Sequence, residues 1–435
     1  MDGGARHARD ATVGLRPGPP APARSETLVT TPEPFLDVRS REFRDDPHPL
    51  YARLRAHAAL VPVRGSYVRG ALFATRHQDV LELLKDPRFV NDSRNAGVSH
   101  PMGAWWMPRL FTTMAANMLN ADEPKHRRLR NLVARAFTPA RVRGMRAAAG
   151  TIVERLLADA ARRGEVDLVA AFALPLPLEI ISEMMGVPDD DRPQFRAWMT
   201  NLTDAFSGGV VGILLQIPTG NRLLRLFERL IAERRAEPRD DLISALVQAE
   251  EEDGDRLTAD DLISMVFLLL LAGHDTTVNL LAGGTLALLE HPDQLAGLRA
   301  RPEAIERATE ELLRYVSPAI YASPRYARED LELHGRRVAR GTAILPGIAS
   351  ANRDDRAFTA PERLDLERDP NRHLALGTGI HHCLGAALAR LEAVVAFPAL
   401  IQRFPAMRLA VPADRLEWRL AGIIRGLKRL PLRLA

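Results

Sequence analysis

Only one of the 435 residues is cysteine, Cys383, so no disulfide framework can form within the chain. Such cysteine usage fits a reducing compartment. Lysine is scarce as well: Arg makes up most of the 59 basic residues, and the formal net charge is only +4. No nucleic-acid motif accompanies that modest surplus, which suits an acidic protein partner better than nucleic acid. Long apolar runs are missing. The longest, Met265 to Gly273, is too short to span a bilayer and is followed by His274 and Asp275. No charged-then-apolar leader opens the chain. These absences predict a soluble, monomeric cytoplasmic protein with no membrane partner.

What is present is an apolar content of 46%, enough for one large core. Residues 1–34 are rich in Gly, Pro, Ala and Arg without apolar periodicity and are expected to be a disordered tail. Residues 35–435 read as a single domain, mainly α with small β-sheets (α+β). Short strands are expected around Val61–Val63, Ala71–Ala74, between Val316 and Leu345, and from Leu416 to Leu434. Asn91 to Met118, with Trp105 and Trp106, reads as a lid over an apolar cavity or as a core anchor. Breaks are expected at Leu174–Pro177 and Ser207–Gly209.

The longest helical stretch should start at Thr258 as N-cap and end before His291-Pro292. It is apolar all round in its middle and therefore central. Inside it, Ala272 and Gly273 leave room for a ligand, and Thr276 can bond back to the helix carbonyls and open the ladder. His274 reads as packing or substrate-facing. On an earlier basic helix, His126 and Arg130 share a face and can clamp a carboxylate, although a solvated basic helix is the plainer reading. Glu311 and Arg314, three apart, would by themselves be an ordinary surface pair.

Cys383 sits in Leu376-Gly377-Thr378-Gly379-Ile380-His381-His382-Cys383-Leu384-Gly385, ahead of a helix over Ala386–Phe397. Gly377, Gly379 and Gly385 let backbone lie close against something flat and bulky. A thiolate near a helix N-terminus with that clearance suits an axial haem ligand. A lone cysteine packed as a small hydrophobe is the alternative.

The loop resembles the haem-ligand signature of the cytochrome P-450 family, Phe-Gly-x-Gly-x-His-x-Cys-x-Gly, with Leu376 in place of Phe. The stretch Ala272-Gly273-His274-Asp275-Thr276, Glu311-Leu312-Leu313-Arg314 and Pro361-Glu362-Arg363 match further family segments in order. The resemblance implies a helix-rich triangular prism around a buried haem b (iron protoporphyrin IX), with a long central helix. It implies Cys383 as metal ligand, Asp275 and Thr276 as proton relay, and Ala272, Gly273, Gly377, Gly379 and Gly385 against the cofactor. It also implies His126, Arg130, Arg325 and His381 on the propionates, and a buried Glu311–Arg314–Arg363 triad. The implied activity is insertion of one atom of O2 into a lipophilic small molecule, with ferredoxin and ferredoxin reductase as electron donors. Arg127, Arg128, Arg135 and Arg390 are candidates for the ferredoxin face. A peroxide-driven enzyme of this fold, or a silent member acting as a binding platform, are the alternatives; both are disfavoured by the presence of Asp275, Thr276 and Cys383.

Overall fold

The central helix runs from Ala259 to Glu290. Its neighbour starts at Pro292, and the residue before a proline is pushed out of the helical region, so His291 is the break. Leu262, Met265, Phe267, Leu270, Val278, Leu281, Ala282, Leu286 and Leu288 are all buried, and they lie around the whole circumference of the helix. By length and composition Asp260–Glu290 could cross a membrane, but 72% of its apolar window is buried inside the protein, as in a core helix. Against it pack helices Arg109–Ala115, Pro175–Met184, Ile217–Ala236, Ile305–Val316 and Ala386–Arg403. Each buried Leu or Phe in such contacts stabilises by about 1.5–3 kcal/mol.

These are coordinates of a computed structural model, which describes Met1 and residues 33–435 apart from 67, 100–108, 208–211, 213 and 253–258. The expected tail, Trp105 and Trp106, the Gly208-Gly209 break and the Thr258 cap lie outside the described residues. Pro34 to Ala435 pack as one unit.

The largest sheet has the spatial order Leu36–Asp37, Leu60–Arg64, Leu72–Ala74, Ala343–Pro346, Arg325–Ala327, Phe89–Val90. Its strand pair Leu72–Ala74 and Ala343–Pro346 is parallel, whereas Arg325 pairs with Ile344 antiparallel, which fixes Arg325 at the sheet. A three-stranded sheet joins Glu165–Asp167 to Pro431–Arg433 and Arg408–Leu409. Trp418–Ala421 and Ile424–Leu427 form a hairpin that packs on the central helix.

Two proline effects differ from expectation. The Leu174–Pro177 break is the start of a helix: Pro175 opens it at the position where a missing N–H is no loss. The helix after the cysteine loop continues through Pro398 to Arg403. An internal proline costs about 3 kcal/mol. Burial of Ala396, Phe397, Leu400 and Ile401, on a helix packed against Arg146–Ala161, offsets it.

Candidate active site

Gly377 and Gly379 have φ of +66° and +70°, a region L side chains rarely enter, so the loop can take this path only with glycine there. A Cβ at Gly379 would also lie 3.0 Å from the Leu84 carbonyl. The Cys383 N–H donates to Leu376 O at 2.8 Å, folding the loop back on itself before the helix begins at Ala386. Burial pushes the Cys383 thiol up, while the Gly385 N–H, Arg130 and Arg390 pull it down. For the free thiol, burial outweighs the helix terminus.

Cys383 opens onto a cavity of about 270 Å³ shared with Ala272, Gly273, Thr276 and Thr277 of the central helix. Pro318, Tyr321 and Ile423 reach it from the strand segments, as expected. Thr276 Oγ1 donates to Ala272 O at 2.7 Å and Thr277 Oγ1 to Gly273 O at 3.1 Å, so two successive hydroxyls bond back to the helix carbonyls. Asp275 faces elsewhere. It is buried, ion-paired with Arg419 of the hairpin, and flanked by Asn279, whose Nδ2 donates to Asp275 O at 2.7 Å. His274 is buried packing, its pKa lowered mainly by burial, with Nδ1 3.3 Å from Leu270 O.

His126, Arg130, Arg325 and His381 come from three distant stretches of the chain and converge beside the loop. The rings of His126 and His381 lie 4.2 Å apart. Both nitrogens of His126 and Nε2 of His381 are buried without a hydrogen-bond partner among the described residues. Glu123 Oε1 stands 3.7 Å from His126 Nδ1, beyond hydrogen-bond reach. Arg325 is 4% exposed, bonds only Ser323 O among the described residues, at 3.3 Å, and is brought down to about 10 by burial. His381 is brought down to about 2, first by burial and then by Arg325, His126 and Arg130. Arg130 Nη2 also donates to His382 O at 2.8 Å, tying the basic helix Lys125–Ala136 to the loop. A buried unpaired donor costs about 1–3 kcal/mol. A cofactor with carboxylate arms would satisfy these groups, so the donor set fits haem propionates.

Glu311 and Arg314 are both fully buried and bonded at 2.7 and 2.8 Å. The third member is not Arg363. The Arg363 side chain is exposed and only its carbonyl takes part, accepting from Arg314 and Arg368. Arg368, buried, places Nε 3.1 and 3.2 Å from the two Glu311 oxygens. The physical reason is reach: the turn at Ala360–Arg363 directs the earlier arginine outward and brings the later one under the helix. Asn371 and the Asp365 N–H complete the shell around Glu311. Arg368 and Arg419 went unseen in the sequence because neither sits in a local pattern. Two arginines five apart in one connector were the only signal for the first.

Of the arginines expected on a docking face, Arg127 pairs with Glu123 at 2.9 Å, Arg128 lies 3.8 Å from Asp261, and Arg390 holds Glu310 at 2.6 and 2.9 Å. Arg390 and His373 together bring the Glu310 carboxyl to about 2 against the opposing effect of burial.

Comparison with known proteins agrees with this geometry. The sequence model described as Cytochrome P450 matches residues 72–418. The polyketide biosynthesis cytochrome P450 PksS of Bacillus subtilis (strain 168) is 41% identical over 402 residues, covering 91% of this chain and 97% of that protein. Its solved structure superposes with a TM-score of 0.85 over 91% of this chain and 98% of that one. The cytochrome P450 monooxygenase PikC of Streptomyces venezuelae is 41% identical over 414 residues, covering 94% and 97% of the two chains. With a family match over most of its length, full-length relatives and the same fold, the chain belongs to the cytochrome P450 family, haem-dependent oxidoreductases of the monooxygenase class.

Proposed function

We propose that the chain binds haem b through Cys383 Sγ and inserts one atom of O2 into a lipophilic product of secondary metabolism, most simply a polyketide-derived ring. The observation that carries this reading is one cavity that holds the single thiol, the threonine-opened stretch of the central helix and, at its edge, buried donors without a partner among the described residues. When bound, a thiolate-ligated haem supplies the reductive activation of dioxygen. The chain's residues do the rest. Glu311, Arg314 and Arg368 anchor the connector that leads into the cysteine loop. His126, Arg130, Arg325 and His381 hold the propionates. Ala272 and Gly273 provide clearance, and Thr276 holds a proton beside the reacting face, while Asp275 is turned away from it onto Arg419.

The substrate reading rests on the apolar lining (Leu119, Ile181, Met184, Leu268 and Ile423 among it) and on relatives named for polyketide biosynthesis. Electrons would come from a ferredoxin and its reductase. Reduced holoprotein exposed to carbon monoxide should give the red-shifted Soret band of a thiolate-ligated haem, lost in Cys383→His. Macrolides and linear polyketides should be screened for those that shift the ferric spectrum. A histidine-type spectrum in the wild type overturns the ligand assignment.

A further inference from the structure

A second cleft, of about 1090 Å³, shares no lining residue with the cavity at Cys383. Both use the central helix, but the cleft takes a later stripe of it, Asn279, Gly283, Leu286 and Glu290, which follows helical spacing. The C-terminal hairpin contributes to both: Ile423 lines the cavity, whereas Trp418, Arg425 and Leu427 line the cleft. Leu286, Ala287, Val316, Leu416 and Leu427 give the cleft an apolar floor.

The charges beside that floor are unevenly satisfied. Arg425 stacks over Trp418 at 3.6 Å and donates to Arg44 O at 2.8 Å and to Asp45 O. No carboxylate bonds it among the described residues, and burial brings it down to about 10. Arg353, 4% exposed, gives Nη1 to Glu362 at 2.5 Å and Nη2 to Tyr315 O at 3.1 Å. Its Nε has no partner among the described residues, and neither has the buried Nδ1 of His48. Burial, and after it Arg353 and Arg425, hold the His48 ring well below its ordinary pKa. Of the acids in the cleft, Asp45, Glu362 and Glu417 already serve Arg44, Arg353 and Lys428. Asp46, Glu290 and Asp414 are exposed. A partly desolvated guanidinium served only by carbonyls is costly, and an anion that also brings apolar surface would offset that cost while covering the floor.

We propose that this cleft is a second small-molecule site and binds a lipophilic carboxylate, its head on Arg425 beside His48 and Arg353, its chain along Leu286, Val316 and Leu427. The site stands apart from the monooxygenase reading and needs no step of that reaction.

The test is calorimetric titration of holoenzyme with dodecanoate below its micelle concentration, an azole on the iron keeping the probe out of the other cavity. One dodecanoate should bind per chain. Arg425→Gln should weaken it about ten-fold or more, the worth of one charge-assisted hydrogen bond. Ala52 lines the cleft from an exposed position one turn beyond His48, so Ala52→Glu should repel the head without disturbing the fold. Dodecanoate should also change the tryptophan fluorescence, and that change should vanish in Trp418→Phe. Absence of binding to the azole-saturated wild type, or binding unchanged by both Arg425→Gln and Ala52→Glu, overturns the site. Equal affinity for dodecyltrimethylammonium overturns the choice of an anion, and displacement by an equal concentration of inorganic phosphate overturns the apolar half of the ligand. If no azole ligates the iron, the haem reading fails instead, while the Trp418 signal and the two variants still report on the cleft.

Discussion

Glu311 shows no surface to solvent, yet it accepts from Arg314, Arg368, Asn371 and the Asp365 N–H. Removing one cation from such a cluster leaves buried charge uncompensated, so Arg368→Ala should cost about 3–5 kcal/mol. Arg363→Ala should stay within about 0.5 kcal/mol, because only the backbone of residue 363 is used. Urea unfolding of both variants checks this, and equal costs would return the third place to Arg363. The same scale holds a pH prediction. Burial pushes the carboxyl of Glu392, 2% exposed on the helix Ala386–Arg403, up to about 8 from an ordinary value of 4.5 in the unfolded chain. Between those values the unfolded state has given up a proton the native state retains, so this group makes stability fall as pH rises. Glu392→Gln lacks that slope: relative to the wild type it should gain on the order of 1 kcal/mol per pH unit from about pH 5 to 8 and nothing beyond. Parallel stability curves would mean the carboxyl is ionised already. At this scale the sequence announced what chemistry needs in a fixed local pattern. Cys383 and Thr276 stand out by their neighbours alone, and Glu311 only once its segment is matched to the family. Arg368 and Arg419 do not, because each is defined by a partner 57 or 144 residues away.

Elements were legible where periodicity or punctuation marks them. The central helix was readable from its apolar run and the His291-Pro292 stop, and the C-terminal hairpin from the strand-like stretch Leu416 to Leu434. The strand Glu165–Asp167 was not: its three residues bury only Val166, and its partner lies at the far end of the chain. Nor could pattern reveal that the C-terminal hairpin would clamp the central helix. That clamp depends on a missing side chain. A Cβ on Gly426 would lie 1.4 Å from Asn279 Oδ1, and Asn279 is the residue that flanks Asp275. Gly426→Ala should therefore push the hairpin off the helix, costing about 1–3 kcal/mol by overpacking. It should also loosen Arg419 from Asp275. In an Asn279→Ala background the collision is gone, so Gly426→Ala should cost much less there. A double-mutant cycle on unfolding free energy measures the difference, and simple additivity would rule out the clash.

At the scale of the whole molecule, the question is how a nearly neutral charge balance can attract an acidic electron carrier. The formal surplus is only +4, and several of the candidate arginines have an acid beside them that weakens their local field: Glu310 holds Arg390, and Glu123 holds Arg127. Long-range steering therefore depends on arginines whose pairs are solvent-exposed and weak. Arg127 is one, its side chain 72% exposed on the helix that Arg130 ties to the cysteine loop. Exposed pairs are worth about 0–1 kcal/mol, so Arg127→Glu should leave folding stability nearly intact. Its effect on association should be larger. Screening shortens the reach of charge from about 30 Å at 0.01 M salt to about 8 Å at 0.15 M. Stopped-flow reduction of the wild type by an acidic ferredoxin should accordingly slow as salt rises. In Arg127→Glu it should be several-fold slower at low salt and converge on the wild type at high salt. Curves that differ by the same factor at every ionic strength would show that residue 127 acts by contact and not by steering. A salt-independent wild-type rate would mean that the carrier docks on a face where these arginines play no part.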